Sequence, residues 1–252
     1  MSEHADEKEV ARLMAIKAQR NAIQDITETI NRLTKEAQTS PDKNLLILKI
    51  ADEKVDMASR RIVIGEIDQA RNLFYEVLIH LEGIVSRTID GPFSDYEDGL
   101  ATITAFTDEQ RLDLVRKMEL AMDSLTDAYG PNTKWKWSFG EMNARLAVVA
   151  KNLLNLRTFV TQMDPRVDGY ETRMTHLALA KKLLTRAANT YREKYELSKT
   201  QYLNDMKMGI LLLLALRRLH VAVGEADQAD TIKRKVQIWQ ARLDADLKKK
   251  GK

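Results

Sequence analysis

Apolar residues recur along this chain at intervals of three and four, and no stretch shows a sustained alternation of apolar and polar positions. That spacing places side chains on one face of a helix and predicts an all-α protein. Ile16, Ile23, Ile26, Ile30, Leu33 and Ala37 follow a seven-residue repeat, interrupted by Gln19, and predict one long helix over 6–37. The expectation is an amphipathic helix lying on the body of the protein. The alternative is an exposed seam for a partner helix or a second copy. Ser40 and Pro41 supply a cap and a first-turn proline for a helix reaching about Ile64. Gly65-Glu66 turns the chain into a helix over 68–85. Thr107 and Gln110 form a capping box for a helix ending near Tyr129, where Gly130-Pro131 breaks it. Ser138 and Glu141 form a second box, with Trp137 stapled onto Met142, for a helix running to about Met163. Asp164-Pro165 precedes a helix that begins between 165 and 170, continues to about Ser198 and carries Tyr191, Tyr195 and Tyr202 as a core stripe. The last pair covers 203–222 and 226–248. About eight antiparallel helices in hairpin pairs are thus expected.

The densest apolar run, Gly209 to Leu216, is eight residues long. A membrane span needs roughly 20, so the run predicts a helix covered by protein on nearly every side. Residues 1–5 are expected to be disordered and 6–248 to form a single elongated helical domain, with a possible subdivision near 90–106 into 6–89 and 107–248.

The segment Asp90-Gly-Pro-Phe-Ser-Asp-Tyr-Glu-Asp-Gly99 is the most irregular. Its acids and glycines resemble a calcium loop only in composition: the alternating ligands and the glutamate at loop position twelve are missing. A surface loop is expected. Composition adds few punctuators, four prolines and ten glycines in 252 residues, and a near-neutral charge of +3. That balance gives no case for general nucleic-acid binding. The charge is uneven, however. Residues 90–113 hold seven acids against Arg111 alone, and residues 203–252 hold eleven Lys or Arg against six acids. These segments are read as solvated faces, or as surfaces for electrostatic docking.

The absence of cysteine excludes disulfides, thiolate metal sites and a cysteine nucleophile. His4, His80, His176 and His220 form no His-Glu-x-x-His or Glu-x-x-His motif, and phosphate-binding glycine loops are absent. The carboxylates at Asp52, Glu53 and Asp56 carry no sequence sign of burial. No enzyme activity, cofactor, metal or small-molecule substrate is inferred. The polar, acidic N-terminus has no signal-peptide pattern, and the chain reads as cytoplasmic.

Two turns are nearly identical: Gly65-Glu-Ile-Asp-Gln-Ala70 and Gly224-Glu-Ala-Asp-Gln-Ala229. Each pattern suits an αα-hairpin, with glycine at the helix end, acids at the next helix start and alanine at the crossing. Around the first, residues 51–84 resemble a tetratricopeptide repeat. Met57 and Ala58 stand where that family carries Leu-Gly, and Ala70 and Phe74 reproduce its Ala-x3-Phe. Lys54, Arg61 and Glu82 depart from its tryptophan, tyrosine and proline. In residues 210–243, Leu216 and Ala229 fit while Arg217 and Lys233 do not. The turns lie 159 residues apart, not a multiple of the 34-residue period, so an irregular helical bundle stays open beside a solenoid.

The resemblance implies stacked helix pairs and a surface that binds peptides or helices, hence a non-enzymatic protein-interaction scaffold whose partner is another protein or further copies of itself. Lys54, Arg61, Arg217 and His220 are its candidate partner-binding residues. Trp135 and Lys136, beside Trp137, form a second candidate patch that could anchor a peptide or stack on bases. A structural subunit of a larger assembly is the alternative, and nucleic-acid binding comes last.

Overall fold

Gly65 and Gly224 take φ of +82° and +77°, in the left-handed region. Each ends a helix with the same pair of bonds. The Glu66 amide donates to the Arg61 carbonyl at 2.8 Å and the Gly65 amide to Ile62 at 3.1 Å. The Glu225 amide donates to His220 at 2.9 Å and the Gly224 amide to Val221 at 3.2 Å. These six-to-one and five-to-two bonds are the Schellman arrangement, which glycine favours because it has no Cβ to clash. The two matching sequence motifs therefore fold into matching turns.

The computed structural model describes residues 3–197 and 202–250. Among them it is all-helical, with ten helices and no strand: α1 Glu3–Ala37, α2 Lys43–Val63, α3 Ile67–Val85, α4 Ser94–Ala101, α5 Asp108–Tyr129, α6 Lys136–Asn152, α7 Leu156–Thr161, α8 Tyr170–Leu197, α9 Leu203–Ala222 and α10 Ala226–Lys250. The expected disordered start at 1–5 falls partly outside the described residues, since α1 is described from Glu3.

Two helices exceed the expected eight. The surface loop of 90–106 contains α4, which buries Tyr96 and Leu100 one turn apart. The helix expected over 138–163 is two: α6 ends at Asn152, and α7 restarts where the Asn155 side chain accepts the Thr158 amide at 3.1 Å. α6 also begins earlier, at Lys136 with Trp135 as the preceding residue. Ser138 is therefore inside the helix and does not cap it. Ser40 does not cap α2 either; its hydroxyl accepts the Asp42 amide and shapes the turn before Lys43. Thr107 and Gln110 do form their reciprocal box, at 3.2 and 2.9 Å.

The chain divides into two compact units. Unit one holds residues 1–84 and 116–133, unit two residues 85–115 and 134–252. In unit one α1 packs on α2. Leu33 and Ala37 meet Leu46 and Ile50, with Ile30 against them. In the hairpin α2–α3, Ala58, Ala70 and Phe74 are wholly buried. In unit two α9 lies against both α8 and α10, and α6 packs on α8. Leu212, Leu213 and Ala215 of α9 are wholly buried, while Leu211 stays 40% exposed. Each such buried leucine contributes roughly 2 kcal/mol of apolar burial. Gly209 permits a close approach here: an added Cβ would stand 3.0 Å from the Trp239 ring and 3.2 Å from the Ala188 carbonyl oxygen. Of the tyrosine stripe, Tyr195 is buried, Tyr191 half-buried and Tyr202 exposed, because the helix ends before Tyr202.

Candidate functional site

The turn motifs place charged side chains as well as backbone. Arg61, four residues before Gly65, binds the carboxylate of Glu66 and the amide oxygen of Gln69. His220, four residues before Gly224, meets the carboxylate of Glu225 through Nδ1. Lys181 of α8 donates to the same carboxylate at 2.7 and 2.8 Å. Burial alone would raise the Glu225 carboxyl, but the bonds from Lys181 and His220 outweigh it and hold the group below its ordinary value. Two candidate partner residues are thus engaged by the glutamate of their own turn.

Lys54 bridges the hairpin α2–α3, donating to Glu76 at 2.6 Å. Burial and the charge of Lys54 together lower His80, which stands one turn from Glu76. Arg217 is half-buried, and its Nε has no hydrogen-bond partner. Lys136 pairs with Glu193 at 2.8 Å and lies 4.8 Å over the Trp137 ring. Lys134 lies 5.2 Å over Trp135. Lys54 and Arg61 belong to unit one and the other four to unit two. The carboxylates at 52–56 are partly exposed, and Lys117 binds Asp52 at 2.6 Å and Asp56 at 3.0 Å. Burial and these two acids raise Glu53.

Two features of unit two carry chemistry that residue types alone did not reveal. The first is a cleft of about 450 Å³ among α8, α9 and α10. Its apolar lining is Tyr195, Met206, Ile238 and Trp239, and the charged side chains of Arg192, Glu196 and Arg242 line it as well. Ile238 is 66% exposed, whereas Trp239 is 2% exposed. The Arg192 guanidinium lies 5.1 Å and the Lys235 ammonium 5.0 Å from the Trp239 ring, within cation–π range. Arg192 also holds Glu196, and Arg242 holds Asp246, each at 2.8 Å. Asp246 in turn accepts the Tyr195 hydroxyl. The arrangement suits an apolar side chain flanked by carboxylates. The repeat of Arg192, Tyr195 and Glu196 on one face was visible in the sequence; its meeting with α10 was not.

The second is a buried amine. Lys151, at the end of α6, is 2% exposed and lies 4.7 Å over the ring of Tyr96. Burial depresses it to about 8, against the partial support of Asp90 and Asp95, and burial pushes Tyr96 up to about 12. Next to Lys151, the Asn152 side-chain amide donates to the carbonyls of Ser86 at 3.0 Å and Thr88 at 3.3 Å. Ser86 has φ of 85°, a conformation that costs a non-glycine residue on the order of 1 kcal/mol. Arg218 of α9 closes the far side on Asp90 at 2.8 Å. Both Lys151 and Tyr96 are closed to solvent, so this cluster ties the segment 86–93 and the start of α4 to α6, and its charge acts within the fold.

An all-helical protein of antiparallel pairs, with an apolar cleft in its second unit, is the class these features define. The chain belongs to the TP0443 family, whose model matches residues 7–247. No curated protein and no solved structure matches it. Among the described residues no helix is long and apolar enough to cross a membrane.

Proposed function

We propose that the protein is a non-enzymatic helical scaffold that binds another protein through the cleft of α8, α9 and α10. The observation that carries this reading is the cleft itself, lined by buried Trp239 and Met206, by exposed Ile238, and by two arginines beside Glu196. Its volume lies in the range that receives large side chains, and buried aromatic floors beside arginines are the chemistry of interface hot spots. The complementary partner is a segment with one large apolar residue between acids. The tetratricopeptide-like pattern of 51–84 supports the scaffold reading, since Met57, Ala58, Ala70 and Phe74 are all buried.

A peptide array tests this. Leucine or phenylalanine between two acidic residues is expected to retain the full-length chain, and the same peptides with lysine in place of the acids are not. Ile238→Asp and Arg192→Glu are each expected to remove binding while the circular dichroism spectrum stays native. Equal retention of acidic and basic peptides, or indifference to both variants, sinks the reading.

A further inference from the structure

The N-terminal half of α1 stands open. From residue 7 to residue 22 no side chain is buried, and Ile23 is the first that is. Val10, Leu13 and Met14 are 50%, 56% and 67% exposed, a cluster of large apolar residues within two turns. Exposed apolar clusters of this kind on an amphipathic helix mark association surfaces more often than isolated exposed residues do. Farther along the same helix Arg60 of α2 donates to Gln19 at 2.8 Å, and Ile23 and Leu33 are buried.

The charges say what covers it. Positions 9, 10, 16 and 17 lie three or four residues from position 13 and therefore share its face. With Leu13 they make, in sequence order, Glu, Val, Leu, Ile and Lys. When this face meets itself in an antiparallel pair centred on residue 13, each position meets its mirror. Leu13 then meets Leu13, Val10 meets Ile16, and Glu9 meets Lys17. Both apolar layers and both charge layers are complementary, twice over by symmetry. A parallel pair would set Glu9 against Glu9 and Lys17 against Lys17. The intrahelical Glu9–Arg12 contact, 3.6 Å long with both side chains mostly exposed, is too weak to oppose this.

We propose that a second copy of this chain docks on the exposed half of α1, forming a symmetric antiparallel helix pair centred on Leu13. The partner face is isologous, as twofold symmetry requires. Three helical turns bury less than the roughly 800 Å² per partner of a standard interface, so the dimer is weak and concentration-dependent. It is independent of the cleft, which belongs to the other unit, and Ile238→Asp leaves it unchanged.

Sedimentation velocity of the full-length chain, across concentration at low salt, tests the proposal. A monomer–dimer equilibrium is expected, abolished by Leu13→Asp with an unchanged circular dichroism spectrum. Glu9→Lys alone and Lys17→Glu alone are each expected to weaken the dimer about tenfold, since two exposed attractions become repulsions. Mixing those two variants restores it. One chain then carries a lysine at both positions and the other an acid at both, so each mirror pair is again of opposite charge. A chain that is monomeric at all concentrations, a dimer indifferent to Leu13→Asp, species larger than a dimer, or reversals that do not rescue each other overturns the proposal.

Discussion

His220 meets the Glu225 carboxylate across the turn made by Gly224, so the backbone turn and the charge pair are one device. The same relation recurs between Arg61 and Glu66 across Gly65. In each case the residue whose carbonyl accepts the six-to-one bond also supplies the side chain that binds the glutamate donating it.

The glycines bear the conformational part of that device. An added Cβ at Gly65 or Gly224 meets nothing within 4 Å, so replacement acts through the positive φ alone. Gly65→Ala and Gly224→Ala are each expected to cost about 1 kcal/mol in urea unfolding. Asparagine, which tolerates the left-handed region better, is expected to cost less at both positions.

The charge part is pH-dependent at Glu225. Its carboxyl is held below 4.5 in the folded chain by Lys181 and His220, despite burial that acts the other way. A depressed acid stabilises the fold above its unfolded value and loses that contribution as pH falls through the folded value. The stability gap between the natural chain and Glu225→Gln is therefore expected to narrow as pH falls below about 4.5. Urea titrations at stepped pH read this directly, and a gap that widens in acid contradicts the pairing.

Lys151 is also depressed, but there the shift disfavours the charged form and costs stability at neutral pH. Its folded value of about 8 lies below the 10.5 of a free lysine. The unfolded chain binds the extra proton between those limits, so this residue's contribution to stability rises from about pH 8 to about 10.5 and is lowest below pH 8. Lys151→Met lacks the dependence. The variant's stability relative to the natural chain is expected to be greatest at neutral pH and to decline towards about pH 10.

Gly209→Ala is expected to destabilise, against the usual gain of about 1 kcal/mol for that change in a helix interior. The new methyl would press on the buried Trp239 ring at 3.0 Å and on the Ala188 backbone carbonyl at 3.2 Å. Gly209→Val is expected to cost more. Denaturant unfolding followed by tryptophan emission measures both.

What the sequence made legible was local. The two turns, the Thr107–Gln110 box and the buried run of α9 are written in adjacent residues, and adjacent residues suffice to make them. Lys151 shows the converse. Nothing around it in α6 marks it for burial; that follows from Tyr96 arriving in α4, within a segment whose acids and glycine suggested an exposed loop. The acids of 90–113 likewise looked unanswered, yet Asp90 meets Arg218, Glu97 meets Arg157 at 2.8 Å, and Asp108 meets Arg173 at 3.4 Å. Each of those partners lies at least 60 residues away along the chain. Asn155 shows a subtler limit, since a short polar residue can cap a new helix only where the previous one has already stopped.

The two units are interleaved, and this sets an order of events during synthesis. Unit one draws its last piece from residues 116–133, after residues 85–115 of unit two have left the ribosome. The first unit thus cannot close when its first 84 residues emerge. No single cut of the gene separates one complete unit from the other, and α5 runs across the boundary between them in the chain.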